Sequence, residues 1–309
     1  MISRRNIRVK VMQTLYAAET AEPVTPAGEA LKSLKKHFDQ TRALLVYLFH
    51  TLAETARFAE TDARQKASKH LPSEADLNIN TKLAGNNLLW KLLEDNSYRA
   101  AVKDYKPELQ TDPETIKKLY TTLTASDTYK QYISAPGREA ATEKSILEYI
   151  LSSVMLTDEN YIAQVEELYT NWDDDCDVVV QLVAGWLQKP GSFSFSEIIS
   201  NDKVEFALSL LQTVMEKKEV TLELIKPRLK NWDPERIAVL DMILMEMGVC
   251  EFLFFETIPP KVTINEYIDL AKEYSTSQSG HFVNGILDNI HKDLVKEDKM
   301  HKVTFVKKK

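Results

Sequence analysis

Four basic side chains crowd the start of a helical pattern near the beginning of the chain. They are Arg4, Arg5, Arg8 and Lys10, and no acidic residue lies among them. Arginine presents a planar fork to phosphates and stacks on nucleobases. Basic residues at a helix N-terminus oppose the helix dipole, so folding alone does not favour this arrangement. By itself the pattern is about equally compatible with RNA binding and with a solvated helix start.

Metal and catalytic patterns fail when they are tested position by position. Asp173, Asp175 and Asp177 have the spacing of the first three ligands of a calcium loop, but Val178 stands where glycine is needed and Ala184 where the bidentate acid is needed. These acids instead suit the N-terminus of a helix. The six histidines form no paired motif, and the chain contains no phosphate-binding glycine loop and no G-x-S-x-G elbow. The sequence predicts no metal, no cofactor, no catalytic residue and hence no enzyme.

Composition favours helices and restricts any contact with nucleic acid to a local surface. The chain has 309 residues, 44% of them hydrophobic, 28% charged and only 8 glycines, which suits a helical protein with a real core. A net charge of -7 argues against a general nucleic-acid coat. Cys176 and Cys250 read as reduced core residues. The longest apolar run, 43–49, is far too short for a membrane span. We expect a soluble, cytoplasmic protein without a membrane partner.

Apolar periodicity predicts helices along nearly the whole chain, and therefore an all-α fold. The first runs over 3–20, with Ser3 as its N-cap, and a much longer helix follows the prolines at 23 and 26. Further helices are predicted over the ranges 83–103, 113–133, 139–156, 159–171, 173–188, 203–216 and 220–230.

Three more helices are predicted between residues 233 and 294. Asp233-Pro234 has the form of an N-cap followed by proline at the first helical position. Pro259 and Pro260 cannot continue that helix. Thr263, with Glu266 three residues later, fits a capping box that restarts the chain as a helix. Residues 275–280 form a polar break before the last apolar stripe.

Several polar residues at fixed offsets in this stretch resemble a family signature. The runs Lys261-Val-Thr-Ile-Asn-Glu266, Leu270-Ala-Lys272 and Phe282-Val-Asn-Gly285 resemble the NusB family of transcription antitermination factors. The N-terminal arginines and Gln13-x-Leu15-Tyr16 are similar to that family's arginine-rich first helix. The C-terminal likeness covers about 206–290, whereas 60–200 has no recognised counterpart and looks like an insertion or an enlarged N-terminal half.

The resemblance implies a fold and a domain division. It implies a NusB-like helical bundle of two subdomains with additional helices in the N-terminal and middle half. We expect an N-terminal helical subdomain over 1–200, a C-terminal NusB-like subdomain over 201–298 and a basic tail over 299–309.

The resemblance also implies a function. NusB proteins bind the boxA element of nascent ribosomal RNA operon transcripts together with NusE, a small-subunit ribosomal protein, on elongating RNA polymerase. Asp241 would face NusE, and Lys10 is added to the RNA surface on grounds of charge. Asn265, Glu266 and Asn284 are assigned mainly to helix capping and inter-helix hydrogen bonds. The family's RNA surface falls on Arg4, Arg5, Arg8, Tyr16, Gln278 and Phe282.

Two other functions stay open. Met242 and Glu246 stand where many family members carry basic residues, which favours a NusB-like protein-interaction scaffold that does not bind RNA. A relic of a domain associated with ribosomal RNA methyltransferases is the less favoured alternative. Such an enzyme needs a cofactor-binding α/β domain and a nucleophilic cysteine motif, and this sequence contains neither.

Overall fold

The computed structural model describes residues 2–229 and 237–303, and within these ranges it contains fifteen α-helices and no strand. The all-α prediction is confirmed. The described residues form two compact units. We call residues 38–199 the middle unit, and residues 2–37 together with 200–303 the terminal unit. The expected division at residue 200 differs from this one, because the first 37 residues group with the C-terminal part of the chain.

The first two helices begin the chain. Helix α1 spans Arg4–Thr20, and Ser3 caps it as predicted, since the Ser3 hydroxyl accepts from the Asn6 backbone N–H while the Asn6 side chain accepts from the Ser3 N–H. This reciprocal pair satisfies two backbone donors that a helix start leaves open. Helix α2, Ala27–Ala67, has 41 residues.

Eight helices follow in the middle unit. Two predicted helices are each divided, because Asp95 and Ser126 accept hydrogen bonds from backbone N–H groups and so start new helices at 96 and 127. Phe49 packs edge-on against Trp186 and Phe195 in the core of this unit. The eight helices are α3 (Glu74–Leu77), α4 (Asn87–Glu94), α5 (Asn96–Tyr105), α6 (Pro113–Ala125), α7 (Asp127–Ser134), α8 (Ala140–Tyr149), α9 (Glu159–Leu168) and α10 (Trp172–Gln188).

Five helices complete the terminal unit, and α1 packs against two of them, α11 and α13. Helices α13, α14 and α15 pack against one another. The five are α11 (Asn201–Glu216), α12 (Lys218–Ile225), α13 (Val239–Phe254), α14 (Pro260–Tyr274) and α15 (Ser279–Lys296).

The predicted capping box at Thr263 is wrong. Helix α14 already begins at Pro260, and the Thr263 hydroxyl donates to the Glu251 carboxylate on α13 at 2.8 Å instead of capping its own helix. Proline at the first helical position loses no hydrogen bond, so the helix starts there. The helix start predicted at Asp233-Pro234 lies outside the described residues.

Other sequence predictions concern the cysteines, the tail and membranes. Cys176 and Cys250 are both free cysteines, and the predicted core position is confirmed for Cys250, whereas Cys176 is half-buried. In the tail, the Lys302 ammonium donates to the backbone carbonyls of Glu251 and Phe255, while residues 304–309 lie outside the described ranges. A search of the described helices finds none long and apolar enough to cross a membrane.

Candidate nucleic-acid interface

The arginines of α1 occupy three different environments. Arg4 is exposed, and its guanidinium lies 5.6 Å from the centre of the Phe206 ring. Arg5 is half-buried and donates to Asp269 at 3.2 Å and to Glu273 at 2.8 Å, both on α14. The hydrogen bond that Arg5 donates to Glu273 raises the pKa of Arg5, burial lowers it, and the hydrogen bond donated to Asp269 adds to the rise. Arg4 is therefore open to solvent, whereas Arg5 reaches solvent while it is paired with two acids.

Arg8 is a buried member of the scaffold. Only 2% of it is exposed, and its Nε and Nη2 donate to the two oxygens of Glu251 at 2.7 and 3.1 Å. Tyr267 donates a further hydrogen bond to Glu251 at 2.8 Å. Desolvation opposes the charge of Arg8, but Tyr267 and Glu251 outweigh it and raise the Arg8 pKa. The direct contact of Arg8 with RNA stays a prediction, and in this structure the Arg8 fork is filled by the buried Glu251 carboxylate.

Lys10 and Asp241 are also buried, at 4% and 5% exposure. Neither side chain is offered at the surface in this structure, and the contacts of Lys10 with RNA and of Asp241 with NusE stay predictions. Asp241 accepts a 2.7 Å hydrogen bond from the Ser279 hydroxyl, so it ties α13 to the first residue of α15. Its other oxygen, Oδ1, is buried without a hydrogen-bond partner among the described residues. Asp241 therefore positions the start of α15.

The start of α15 carries the two remaining predicted RNA residues. Gln278 is exposed at the N-cap position, and Phe282 is half-buried one turn later. The Ser279 hydroxyl also accepts from the Thr276 backbone N–H at 3.2 Å, which closes the turn before the helix. The Asp241–Ser279 bond thus fixes the segment that carries Gln278 and Phe282.

Tyr16 forms one wall of an open groove. Its ring is 44% exposed, enough to offer a stacking face. The groove has a volume of about 480 Å³ and is bounded by α1, the start of α13 and the end of α14, with Met12, Leu240 and Tyr274 among its lining residues. Arg5 and Tyr16 are eleven residues apart, close to three full helical turns, so they share one stripe of α1.

The comparisons with known proteins agree on one family. The NusB family model matches residues 188–292. The transcription antitermination protein NusB of Methylacidiphilum infernorum is 37% identical over 126 residues, which cover 38% of this chain and 87% of that protein. The chain belongs to the NusB family.

Two further NusB proteins match this chain with similar identity and coverage. The one from Desulfatibacillum aliphaticivorans is 40% identical over 101 residues, 33% of this chain and 71% of that protein. The one from Finegoldia magna is 36% identical over 105 residues, 34% of this chain and 77% of that protein. No solved structure matches the chain.

The NusB match and the arginine helix meet in the terminal unit. Helix α1 lies outside the matched range, yet Arg8 pairs with Glu251, Arg5 with Asp269, and Lys203 donates to the Ile2 carbonyl. Most of the middle unit lies outside the match, and the chain is larger than NusB in the manner of an insertion. Helix α1 therefore packs against the segment that matches the NusB family, although α1 itself lies outside the matched range.

Met242 and Glu246, the two departures from the NusB pattern, differ in burial. Met242 is half-buried, whereas Glu246 is 2% exposed, with Oε2 lacking a hydrogen-bond partner among the described residues. Burial raises the pKa of Glu246 to about 7, with Lys218 acting against the shift and Glu19 adding to it. Glu246 does not face solvent, so it is poor support for an altered partner surface.

Sequence reasoning missed the acids that hold the arginines. Glu266, Asp269 and Glu273 recur at three and four residues along α14, which places them on one face of that helix. Glu266 approaches Arg8 at 3.5 Å, while the other two hold Arg5. This acidic stripe is readable in the sequence, but its pairing with α1 crosses more than 250 residues.

Asn265 and Asn284 are both exposed, on α14 and α15. Neither residue stands at the start of its helix, so neither caps that helix as expected. Among the residues described, no cluster of three or more His, Cys, Asp or Glu side chains could hold a metal ion.

Proposed function

We propose that this NusB-family protein is a transcription antitermination factor that binds boxA-type single-stranded RNA together with NusE on elongating RNA polymerase. The observation that carries the proposal is the family membership, since each of the relatives above bears the name of an antitermination protein. A factor that acts on nascent transcripts works in the cytoplasm and needs no catalytic step.

The RNA surface we propose combines charge with aromatic faces. Arg4 and Arg5 contact phosphates, because guanidinium groups that reach solvent can pair with phosphate oxygens through two parallel hydrogen bonds. Tyr16 and Phe282 stack on unpaired bases, which is the usual way in which proteins hold single-stranded RNA. Gln278 offers an exposed amide that can donate to or accept from a base edge.

The buried polar residues support this surface from beneath. Arg8 joins α1 to α13 through Glu251, and the distance between the exposed arginines and α13 is fixed by that pair. Asp241 fixes the start of α15 through Ser279, which sets the positions of Gln278 and Phe282. We retain NusE as the protein partner, with Asp241 as a positioning residue for the turn that precedes α15.

The test is binding of a labelled boxA-like RNA with and without NusE. We expect the intact protein to bind, NusE to tighten binding, and Arg4→Ala/Arg5→Ala to weaken it by at least about tenfold, since each charged contact is worth roughly 1.5–3 kcal/mol. Lys292→Ala/Lys299→Ala is the control, because it likewise removes two positive charges from side chains that reach solvent. The proposal fails if the intact protein binds neither RNA nor NusE.

A further inference from the structure

Arg5 is the one α1 arginine whose partners are both at the surface. The side chains of Arg5, Asp269 and Glu273 are 37%, 50% and 51% exposed. Asp269 and Glu273 stand one helical turn apart on α14 and hold the two terminal nitrogens of the guanidinium separately. This arrangement covers both ends of the arginine fork with carboxylate oxygens.

A phosphate needs the same atoms. Asp269 and Glu273 each accept from one terminal nitrogen of Arg5, so a phosphate that binds across those same nitrogens must compete with both carboxylates. The Arg8–Glu251 pair is buried and cannot exchange partners without exposing a charge. The Arg5 pairs are solvated, and solvated ion pairs are weak enough to be replaced.

We infer that Asp269 and Glu273 act as an intramolecular phosphate mimic, an autoinhibitory contact that the RNA backbone must displace from Arg5. The inference rests on the proposed RNA-binding function. RNA binding is then an exchange in which a phosphate takes the place of two carboxylates, and the displaced acids remain beside the RNA backbone. The acids lower the affinity of the intact protein for RNA below the value that its exposed arginines alone provide.

The environment of Arg4 gives the contrast. Its guanidinium rests on the Phe206 ring, and a ring does not compete for the hydrogen-bonding edge of an arginine in the way a carboxylate does. Arg4 therefore offers its fork to the first phosphate, and Arg5 follows when the exchange occurs. Arg4 and Arg5 therefore contribute unequally to the affinity of the intact protein for RNA.

The experiment measures RNA affinity for the full chain and for Asp269→Asn/Glu273→Gln at low salt. These substitutions keep the side-chain shape and remove only the charge. Asp288→Asn/Glu297→Gln is the matched control, because it removes two carboxylates that pair with lysines near the end of the same chain, Lys292 and Lys299. Both pairs of substitutions are repeated in an Arg5→Ala background, and the folded state of each variant is checked by its thermal unfolding midpoint.

We expect Asp269→Asn/Glu273→Gln to bind RNA about three- to tenfold more tightly than the intact protein, the control to change affinity by less than about twofold, and the gain to vanish in the Arg5→Ala background. Each single substitution gives part of the gain. A gain no larger than that of the control, or one that persists without Arg5, overturns the inference while RNA binding by the intact protein upholds the proposed function. If no variant binds RNA, both fall.

Discussion

At the scale of single residues, the decisive finding is that neighbouring arginines in one helix have different tasks. Arg4 and Arg5 reach solvent, while Arg8 is enclosed with Glu251, Thr263 and Tyr267. The sequence shows three arginines at the start of α1, and nothing local separates them. The separation comes from Glu251, 243 residues away, which is why sequence reasoning placed Arg8 on the RNA surface.

The first residue-scale prediction concerns Arg8. Arg8→Ala leaves the Glu251 charge buried without its partner, so we expect the free energy of unfolding to fall by about 3–5 kcal/mol. Urea denaturation measures this change. Arg5→Ala serves as the comparison and should cost less than about 1 kcal/mol, because its ion pairs are solvated. An Arg8→Ala protein of normal stability that has lost RNA binding would restore Arg8 as a direct contact.

Glu246 gives a prediction about pH. Its folded pKa of about 7 lies above the ordinary value of 4.5, so ionisation is penalised in the folded state. The protein therefore binds more protons when folded, and the free energy of unfolding should fall as the pH rises from about 4.5 to about 7, by about 3 kcal/mol in total.

Glu246→Gln should remove that fall and leave the variant more stable than the parent at pH 8. The measurement is urea denaturation at a series of pH values. Glu223→Gln, at an exposed position of α12, is the control and should keep the pH dependence of the parent. Parallel pH curves for Glu246→Gln and the parent would show that Glu246 ionises without cost.

At the scale of elements, helix starts show what local sequence can and cannot decide. Ser3 was predictable because its capping partner, Asn6, lies three residues away on the same helix. Asp95 and Ser126 cap α5 and α7 by the same local chemistry, and longer apolar stripes concealed them. The capping box predicted at Thr263 was wrong because the Thr263 hydroxyl donates to a carboxylate on another helix. No pattern within α14 reveals this acceptor.

Two glycines make a matched pair for testing helix packing. A Cβ at Gly248 on α13 would lie 2.9 Å from the Leu287 side chain of α15, whereas a Cβ at Gly285 meets nothing within 4 Å. Leu287 is fully buried, so it has little room to yield. The close approach of α13 to α15 therefore depends on the glycine at 248.

We expect Gly248→Ala to lower the free energy of unfolding by about 1 kcal/mol or more through overpacking. Gly285→Ala should raise it by up to about 1 kcal/mol, because alanine favours the helix and meets no obstacle. Urea denaturation of both variants checks the signs. Stabilisation by Gly248→Ala equal to that of Gly285→Ala would contradict the tight α13–α15 contact.

At the scale of the whole molecule, charge is distributed unevenly between the two units. Residues 38–199 contain 25 Asp and Glu against 16 Lys and Arg, a net charge of -9, while the rest of the chain contains 21 against 23, a net charge of +2. The overall value of -7 thus reflects the middle unit. An acidic unit repels phosphate, which favours RNA binding by the terminal unit alone.

The family resemblance was visible in the sequence, and the all-helical fold followed from periodicity. The grouping of residues 2–37 with 200–303 could not be predicted from the sequence, because it depends on contacts between segments more than 160 residues apart. The function of the middle unit could not be predicted either, since most of its residues lie outside the NusB match and its own core shows only that it folds. In the candidate site, the exposure of each side chain decides whether it can contact RNA or supports the surface from beneath. This exposure depends on the tertiary structure, so the sequence alone does not reveal it.

We propose that Arg4 and Arg5 carry the phosphate contacts of this protein. The most direct measurement is the affinity for a boxA-like single-stranded RNA across a salt series, for the intact protein and for Arg4→Ala/Arg5→Ala. Each phosphate contact to single-stranded RNA adds about 0.7 to the fall of log affinity with log salt. We expect a slope shallower by about 1.4 in the variant, because two phosphate contacts are lost. Equal slopes for the two proteins would contradict it.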